Sequence, residues 1–252
     1  MPVFRNAFVT GASSGIGREL AVLLGAQGTH VVAAARREPE LAEIVEQITK
    51  AGGQANACVL DVTDADATYQ AVRSWDKACG GLDLVIANAG TGVAKPAQKL
   101  AWSDVEPVLR VNVLGAFATL MAGISCMIGR KHGTLVGVSS LASMRGLPKS
   151  GAYAASKAAL ATFLETLRVD LEREGLTVVD VRPGFVDTPM TRNNKFKMPF
   201  LMDVKQAAEM TLRGIERGNA IVAFPWPMAA TMSVAQSIPN AVWRGLASRV
   251  KL

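Results

Sequence analysis

The chain has 252 residues, of which 50% are apolar and 19% charged, and its 27 basic and 21 acidic side chains give a formal net charge of +6. This composition excludes a disordered chain, a collagen-like repeat and a disulfide scaffold. The three cysteines form no CxxC pair and the two histidines are isolated, so we expect no metal centre. The basic residues are scattered without interleaved aromatic residues, so we do not expect nucleic acid as a partner.

The N-terminal residues enter an apolar strand pattern without the regions of a signal peptide, so we expect a cytoplasmic protein. Residues 218–243 carry no formal charge and are numerous enough to cross a bilayer, but Pro225, Pro227 and Pro239 interrupt them. We interpret this segment as a last strand followed by a proline-broken stretch near the substrate pocket or a partner subunit. A membrane anchor at 218–243 is the alternative.

Short apolar runs alternate with longer helical patterns along the chain. The predicted strands are 4–10, 30–35, 56–60, 82–87, 133–139, 176–182 and 220–224. The predicted helices are 15–27, 38–51, 64–79, 103–130, 151–174 and 203–217. The strand runs are continuously apolar, which is typical of strands covered on both faces. The alternation predicts a doubly wound, Rossmann-type α/β sandwich around a mostly parallel seven-stranded sheet, with residues 1–252 as one domain.

The first predicted strand ends in a glycine-rich turn that opens a helix, Thr10-Gly11-Ala12-Ser13-Ser14-Gly15-Ile16-Gly17. Glycines at 11, 15 and 17 let the backbone turn tightly and approach a pyrophosphate, which the helix N-terminus stabilises. The spacing is GxxxGxG rather than GxGxxG, and a plain strand-to-helix connection is the alternative. Its place after the first strand favours a dinucleotide site.

The end of the second predicted strand indicates which cofactor is bound. It reads Ala35-Arg36-Arg37, with no carboxylate before Glu38. An acidic side chain at this point bonds the ribose of NAD, whereas an arginine accommodates the 2′-phosphate of NADP. Solvated arginines at a helix start are the alternative, but a cation there opposes the helix dipole. We therefore predict NADP(H) in preference to NAD(H).

Tyr153 and Lys157 are four residues apart and share one face of a predicted helix. A free tyrosine has a pKa of about 10, and a neighbouring ammonium lowers the pKa of a phenol. The pair therefore predicts a general acid/base, although an exposed helix pair has the same spacing. Ser139 and Ser140 follow the strand 133–139, at the sheet edge where ligands bind.

Together these motifs resemble the compact branch of the short-chain dehydrogenase/reductase family, over nearly the whole chain. The resemblance implies that Asp61 contacts adenine, that an Asn-Ala-Gly motif lines the cofactor and that a Pro-Gly motif meets the nicotinamide side. Ser14 stands where some NADP-dependent members have a basic residue. The implied cofactor-binding residues are Gly11, Ser13, Ser14, Gly15, Ile16, Gly17, Arg36, Arg37, Asp61, Val62, Asn88, Ala89, Gly90, Tyr153, Lys157, Pro183, Gly184, Val186 and Thr188.

The resemblance also implies a catalytic set of Asn112, Ser140, Tyr153 and Lys157. Asn112 would hold a water of the proton relay. Ser140 is preferred to Ser139 because it precedes Tyr153 by 13 residues, the separation usual in the family. NADPH would deliver a hydride to a carbonyl carbon while Tyr153 protonates the oxygen, and alcohol oxidation would reverse this path.

The substrate side is predicted around 188–203, where the family has a mobile lid. Met144, Met190, Met198 and Met202 predict an adaptable pocket for a medium-sized hydrophobic ketone or aldehyde. A cofactor-binding sensor or scaffold without catalysis is an alternative. The resemblance further implies a homodimer or homotetramer that assembles through the helices 103–130 and 151–174.

Overall fold

The computed structural model describes residues 3–192, 194 and 197–247. Seven parallel strands form one sheet in the order β3-β2-β1-β4-β5-β6-β7. The strands are β1 (Asn6–Thr10), β2 (His30–Ala35), β3 (Gln54–Val59), β4 (Leu84–Ala87), β5 (Gly133–Val138), β6 (Leu176–Pro183) and β7 (Ile221–Phe224). The predicted doubly wound parallel sheet is therefore confirmed.

Helices cover both faces of this sheet. They are α1 (Gly15–Ala26), α2 (Glu38–Lys50), α3 (Ala65–Ala78), α4 (Trp102–Leu109), α5 (Ala116–Met127), α6 (Gly151–Leu171), α7 (Pro189–Arg192), α8 (Val204–Glu216), α9 (Trp226–Ser237) and α10 (Asn240–Ala247). One core cluster joins α1, α2 and α8 to the sheet, and a second joins α3, α5 and α6 to the opposite face. Two apolar layers explain why half of the residues are apolar.

The strand order reverses between β1 and β4, which are neighbours in the sheet. Connections from these two strands leave in opposite directions, so a crevice opens beyond their carboxyl ends. The loops that follow β5 and β6 reach the same edge because all the strands are parallel. The topology therefore brings the predicted motifs after β1, β4, β5 and β6 to one place.

A π-helical segment, Arg110–Gly115, joins α4 to α5 and makes one long helix, Trp102–Arg130. Within the described ranges this helix alone has the length and composition to cross a membrane. It packs against α3, β4 and β5, and Leu120 and Met127 are fully buried. These contacts are those of a core helix in an α/β sandwich.

Some predicted boundaries differ from the structure. The third strand is Gln54–Val59 rather than 56–60, because it lies at the sheet edge, is half exposed and lacks a continuous apolar run. The fourth strand begins at Leu84, two residues later than predicted.

The uncharged segment 218–243 is predicted from its sequence to be a last strand followed by a proline-broken stretch, and the described residues show both features. β7 is followed by α9 and α10, and the prolines stand at the starts of these helices. Pro227 is in the first turn of α9 and Pro239 immediately precedes α10, where a missing backbone N–H costs nothing. Among the described residues of this segment, no helix has the length and composition to cross a membrane.

Candidate active site

The glycine turn after β1 packs directly against the Asn-Ala-Gly loop after β4. Gly11 has a φ of +67°, and a Cβ on it would lie 2.7 Å from the Cα of Ala89. A Cβ on Gly17 would lie 2.2 Å from Nδ2 of Asn88. Asn88 Nδ2 donates hydrogen bonds to the carbonyl oxygens of Thr10 (2.9 Å) and Gly11 (3.2 Å). Only glycines allow this approach, so the motif is built into the packing of the crevice.

The two arginines after β2 reach the mouth of the crevice. Arg37 Nη2 donates hydrogen bonds to the hydroxyl oxygens of Ser13 and Ser14, both at 2.9 Å. The same guanidinium pairs with Glu40 at 3.0 Å. Arg36 Nη1 lies 3.9 Å from Oδ2 of Asp61. The two guanidiniums therefore face the glycine turn on one side and the loop after β3 on the other.

Asp61 stands in the loop that follows β3. Its Oδ1 accepts a hydrogen bond from the backbone N–H of Thr63 at 3.0 Å. This backbone hydrogen bond is the main cause that lowers the pKa of the Asp61 carboxyl. The side chain is therefore an ionised acceptor at the edge of the crevice.

Ser140, Tyr153 and Lys157 meet beyond the end of β5. The Ser140 side chain lowers the pKa of the Tyr153 phenol, and its Oγ accepts a hydrogen bond from the N–H of Ala142 at 3.1 Å. Lys157 Nζ donates to the carbonyl oxygen of Val138 at 2.7 Å and lies 5.9 Å from the centre of the Tyr153 ring. Of the two serines considered from the sequence, Ser140 rather than Ser139 is therefore the one whose side chain affects the Tyr153 phenol.

Burial dominates the protonation of this pair. It raises the pKa of Tyr153, which the hydrogen bond to Ser140 partly offsets. It lowers the pKa of Lys157 from 10.5 to about 8, against an opposing effect of Asp180. The expected net lowering of the Tyr153 pKa is therefore wrong, because removal from water outweighs the favourable contacts of the phenolate. At neutral pH the arrangement is a protonated phenol beside an ammonium.

Asn112 is buried in the π-helical segment beside this pair. Its Nδ2 donates to the carbonyl of Thr91 and to Oγ of Ser156, both at 2.9 Å, and its Oδ1 accepts from the N–H of Thr91 at 2.8 Å. Both amide hydrogens are thus committed to protein partners. The side chain ties α6 to the loop after β4, and a water contact at Asn112 stays a prediction.

The Pro-Gly motif closes the other wall of the crevice. Beyond it, Asp187 N donates to the carbonyl of Met202 (2.9 Å) and Met202 N donates to the carbonyl of Phe185 (3.0 Å). These bonds join the two ends of the predicted lid, of which residues 193, 195 and 196 lie outside the described residues. Met190 lines the crevice, whereas Met202 packs against the core.

One crevice collects nearly all of the predicted cofactor residues. Gly17 is the exception, since it lies under the turn, against Asn88. The other residues that line the crevice were not predicted to bind the cofactor, and they are neighbours of the motifs or belong to the predicted lid. They are Ala35, Leu60, Thr91, Val111, Val138, Ser139, Pro189, Met190 and Thr191.

The crevice fits a nicotinamide dinucleotide. A glycine turn opens α1 at one side, where backbone N–H groups and the helix dipole suit a pyrophosphate. Cations and serine hydroxyls stand at one end, and the tyrosine and lysine stand at the other. Across residues 3–192, 194 and 197–247 no cluster of three or more His, Cys, Asp or Glu could hold a metal ion.

Comparison with known proteins agrees with this architecture. A family model described as short chain dehydrogenase matches residues 5–198. An uncharacterized oxidoreductase of Myxococcus xanthus (strain DK1622) is 48% identical over 98% of this chain and 98% of its own length.

Two solved structures are also similar. The 3-ketoacyl-ACP reductase of Sinorhizobium meliloti 1021 is 30% identical over 90% of this chain and 99% of that one, with a TM-score of 0.80. The alcohol dehydrogenase of the archaeon Thermococcus sibiricus, complexed with 5-hydroxy-NADP, is 26% identical over 87% of this chain and 95% of that one, with a TM-score of 0.78. The family match, the parallel sheet and the crevice lead to one conclusion: the chain is an oxidoreductase that belongs to the short chain dehydrogenase family.

Proposed function

We propose that the protein is an NADP(H)-dependent oxidoreductase that interconverts a carbonyl with a primary or secondary alcohol on a medium-sized hydrophobic substrate. One observation carries the proposal. Tyr153 and the buried Lys157 line the same crevice, with Lys157 Nζ 5.9 Å from the centre of the Tyr153 ring. A sensor or scaffold would have no use for a proton donor placed in this way.

Each catalytic side chain has a distinct task in carbonyl reduction. When bound, NADPH supplies the hydride. Tyr153 gives its hydroxyl proton to the carbonyl oxygen, since burial keeps its phenol protonated at neutral pH. Ser140 donates a hydrogen bond to the same oxygen. Lys157 stabilises the phenolate that remains and would hold the nicotinamide ribose of the bound cofactor.

The preference for NADP(H) is supported by the charges at the mouth of the crevice. Arg37 bonds the hydroxyls of Ser13 and Ser14, and Arg36 lines the same crevice, so that together they would offer cationic and neutral donors for a 2′-phosphate. Asp61 is paired with Arg36 at 3.9 Å. A carboxylate directed at the ribose 2′-hydroxyl would instead favour NAD(H).

The hydrophobic substrate class is supported by the side chains near the reacting end. Met190 lines the crevice, and Met228 at the start of α9 lies close to Gly184, since a Cβ there would be 2.8 Å from its Sδ. Flexible thioethers adapt to apolar groups of different shapes. The ketoacyl substrate class named for the Sinorhizobium meliloti relative has an apolar chain beside its carbonyl, which such walls would suit.

A panel of carbonyl compounds and alcohols, followed by NADPH absorbance, tests this function. We expect turnover of medium-sized apolar ketones or aldehydes, and slower turnover of polar sugars. Turnover of small sugars without turnover of apolar carbonyls would contradict the substrate class. No NADPH oxidation with any carbonyl, despite tight NADPH binding, would favour a cofactor-binding sensor instead.

A further inference from the structure

Asp180, in β6, is a fully buried carboxylate that the catalytic scheme does not use. Its exposed fraction is 0%, and in the part of the chain that the structure describes no other Asp or Glu is buried. A buried ionised carboxylate is strongly unfavourable unless it has polar or charged partners. The groups around it therefore show what it does.

The carboxylate lies between the sheet and α6. Asp180 is in register with Gly137 of β5, and residues paired across neighbouring strands project to the same face. A Cβ on Gly137 would lie 2.5 Å from Cδ1 of Leu164 in α6, so this face packs against α6. Gly137 leaves the carboxylate room beside the helix that carries Tyr153 and Lys157.

Two hydrogen bonds, joined by the covalent backbone between Val138 and Ser139, link Asp180 to Lys157. Oδ1 of Asp180 accepts from Oγ of Ser139, and Oδ2 accepts from Nε of Arg182 at 2.6 Å. Ser139 follows Val138, whose carbonyl oxygen accepts from Lys157 Nζ at 2.7 Å. The residue that sequence analysis set aside, Ser139, therefore anchors the turn that holds the lysine.

The charged groups shown to act on Asp180 come from β6 and α6. Arg182 of β6 bonds its carboxylate, and Lys157 of α6 interacts with its charge. Arg168 of α6 bonds the carbonyl oxygens of Val178 and Ala220, and the second of these also accepts from the backbone N–H of Asp180. The neighbouring strands β5 and β7 contribute no charged side chain. Burial lowers the pKa of Lys157 and the charge of Asp180 raises it, with a result of about 8.

We propose that Asp180 is a positioning residue that keeps Lys157 an ammonium and holds it beside Tyr153, by its charge and through the Ser139–Val138 turn. Arg182 tempers this effect because it neutralises part of the carboxylate charge. The inference rests on the proposed role of Lys157, but its test reads the protonation of that lysine directly.

The test is an NMR titration of protein labelled with 13Cε-lysine, in which Lys157→Arg identifies the signal of Lys157. The wild-type midpoint is expected near pH 8. Asp180→Asn should lower the midpoint of Lys157 by about one pH unit. The control Asp170→Asn removes an exposed carboxylate from α6, the helix that carries Lys157, and should leave the midpoint in place. An unchanged midpoint in Asp180→Asn would overturn the proposal.

Arg182→Gln should shift the titration midpoint of Lys157 in the opposite direction, and it tests the proposal if Asp180→Asn does not fold. Loss of the Arg182 guanidinium should raise the midpoint, since Asp180 then acts on Lys157 without its neutralising partner. A midpoint that stays or falls would overturn the proposal. The alkaline limb of kcat/KM should move with the midpoint in each variant, and a limb that stays fixed would overturn the link to the reaction. If the wild type reduces no carbonyl, the proposed function fails while the NMR midpoints still decide the role of Asp180.

Discussion

Arg37 donates a 2.9 Å hydrogen bond to the hydroxyl of Ser13, which joins the end of β2 to the glycine turn after β1. Ser14 accepts a second hydrogen bond from the same nitrogen. The guanidinium is therefore held at the crevice by groups that a phosphate would also contact.

Arg37→Ala should raise the KM for NADPH about 10- to 100-fold, because a hydrogen bond to a charged group contributes about 1.5–3 kcal/mol. The KM for NADH should change little, since it has no 2′-phosphate. Steady-state kinetics with both cofactors measure this. Arg213→Ala, which removes a half-exposed arginine from α8, is the matched control and should change neither KM. Equal losses with NADPH and NADH would contradict a 2′-phosphate site.

Gly17→Ala should destabilise the crevice, because its Cβ would lie 2.2 Å from Nδ2 of Asn88. Overpacking of this kind costs about 1–3 kcal/mol, and we expect a lower Tm together with weaker NADPH binding. Gly129→Ala is the control, since nothing lies within 4 Å of an added Cβ there. Thermal unfolding with and without NADPH measures both variants. An unchanged Tm for Gly17→Ala would show that the loop after β4 can move aside.

The kcat/KM of carbonyl reduction should fall above about pH 8, where Lys157 loses its proton. The raised pKa of Tyr153 keeps the proton donor intact through this range. Lys157→Met should have low activity, and its kcat/KM should not show this decline above about pH 8. A wild-type kcat/KM that stays constant to high pH would contradict a catalytic role for the Lys157 ammonium.

The same lysine predicts a pH dependence of stability. Its folded pKa of about 8 lies below the ordinary 10.5, so between these values the unfolded chain binds more protons than the folded one. The contribution of Lys157 to the free energy of unfolding therefore rises with pH across this window. Denaturant unfolding at several pH values measures this contribution as the free energy of unfolding of wild type minus that of Lys157→Met. A signed value that falls as the pH rises across this window would contradict the prediction.

The long helices offer a surface for assembly. Val169 in α6 is 71% exposed, and Met121 in α5 is 44% exposed. We expect a second subunit to cover these exposed apolar side chains, because the resemblance to the family implies a dimer or tetramer. Val169→Glu should lower the mass measured by size-exclusion chromatography with light scattering. Val234→Glu, which changes an equally accessible valine of α9, should leave the mass unchanged. A monomeric wild type would contradict the assembly.

The fold could be predicted from the sequence because its strands are buried on both faces and therefore form continuous apolar runs. β3 departs from this pattern, since at the sheet edge Gln54 and Asn56 face outward and the run is broken. The prolines of the last segment do not by themselves locate its helices, because a proline is compatible with a helix start as well as with a break. Their position relative to the helix, which only the structure gives, decides between the two.

The site was predicted as a set of motifs, and topology explains why they meet. What the sequence could not give is protonation, because the raised pKa of Tyr153 depends on burial by segments distant in sequence. Asp180 was missed for the same reason. It belongs to no motif, and it becomes notable only when β6 places it beside Ser139 and under α6.

The central claim is that Tyr153 transfers a proton to a substrate oxygen. The most direct measurement is the kcat for an apolar ketone with NADPH in wild type and Tyr153→Phe, beside the Kd for NADPH of both proteins. The account predicts that removal of the hydroxyl abolishes turnover, with a loss on the order of 100- to 10,000-fold, while the Kd stays within about twofold. Turnover at the wild-type rate in a folded, NADPH-binding Tyr153→Phe protein would contradict it.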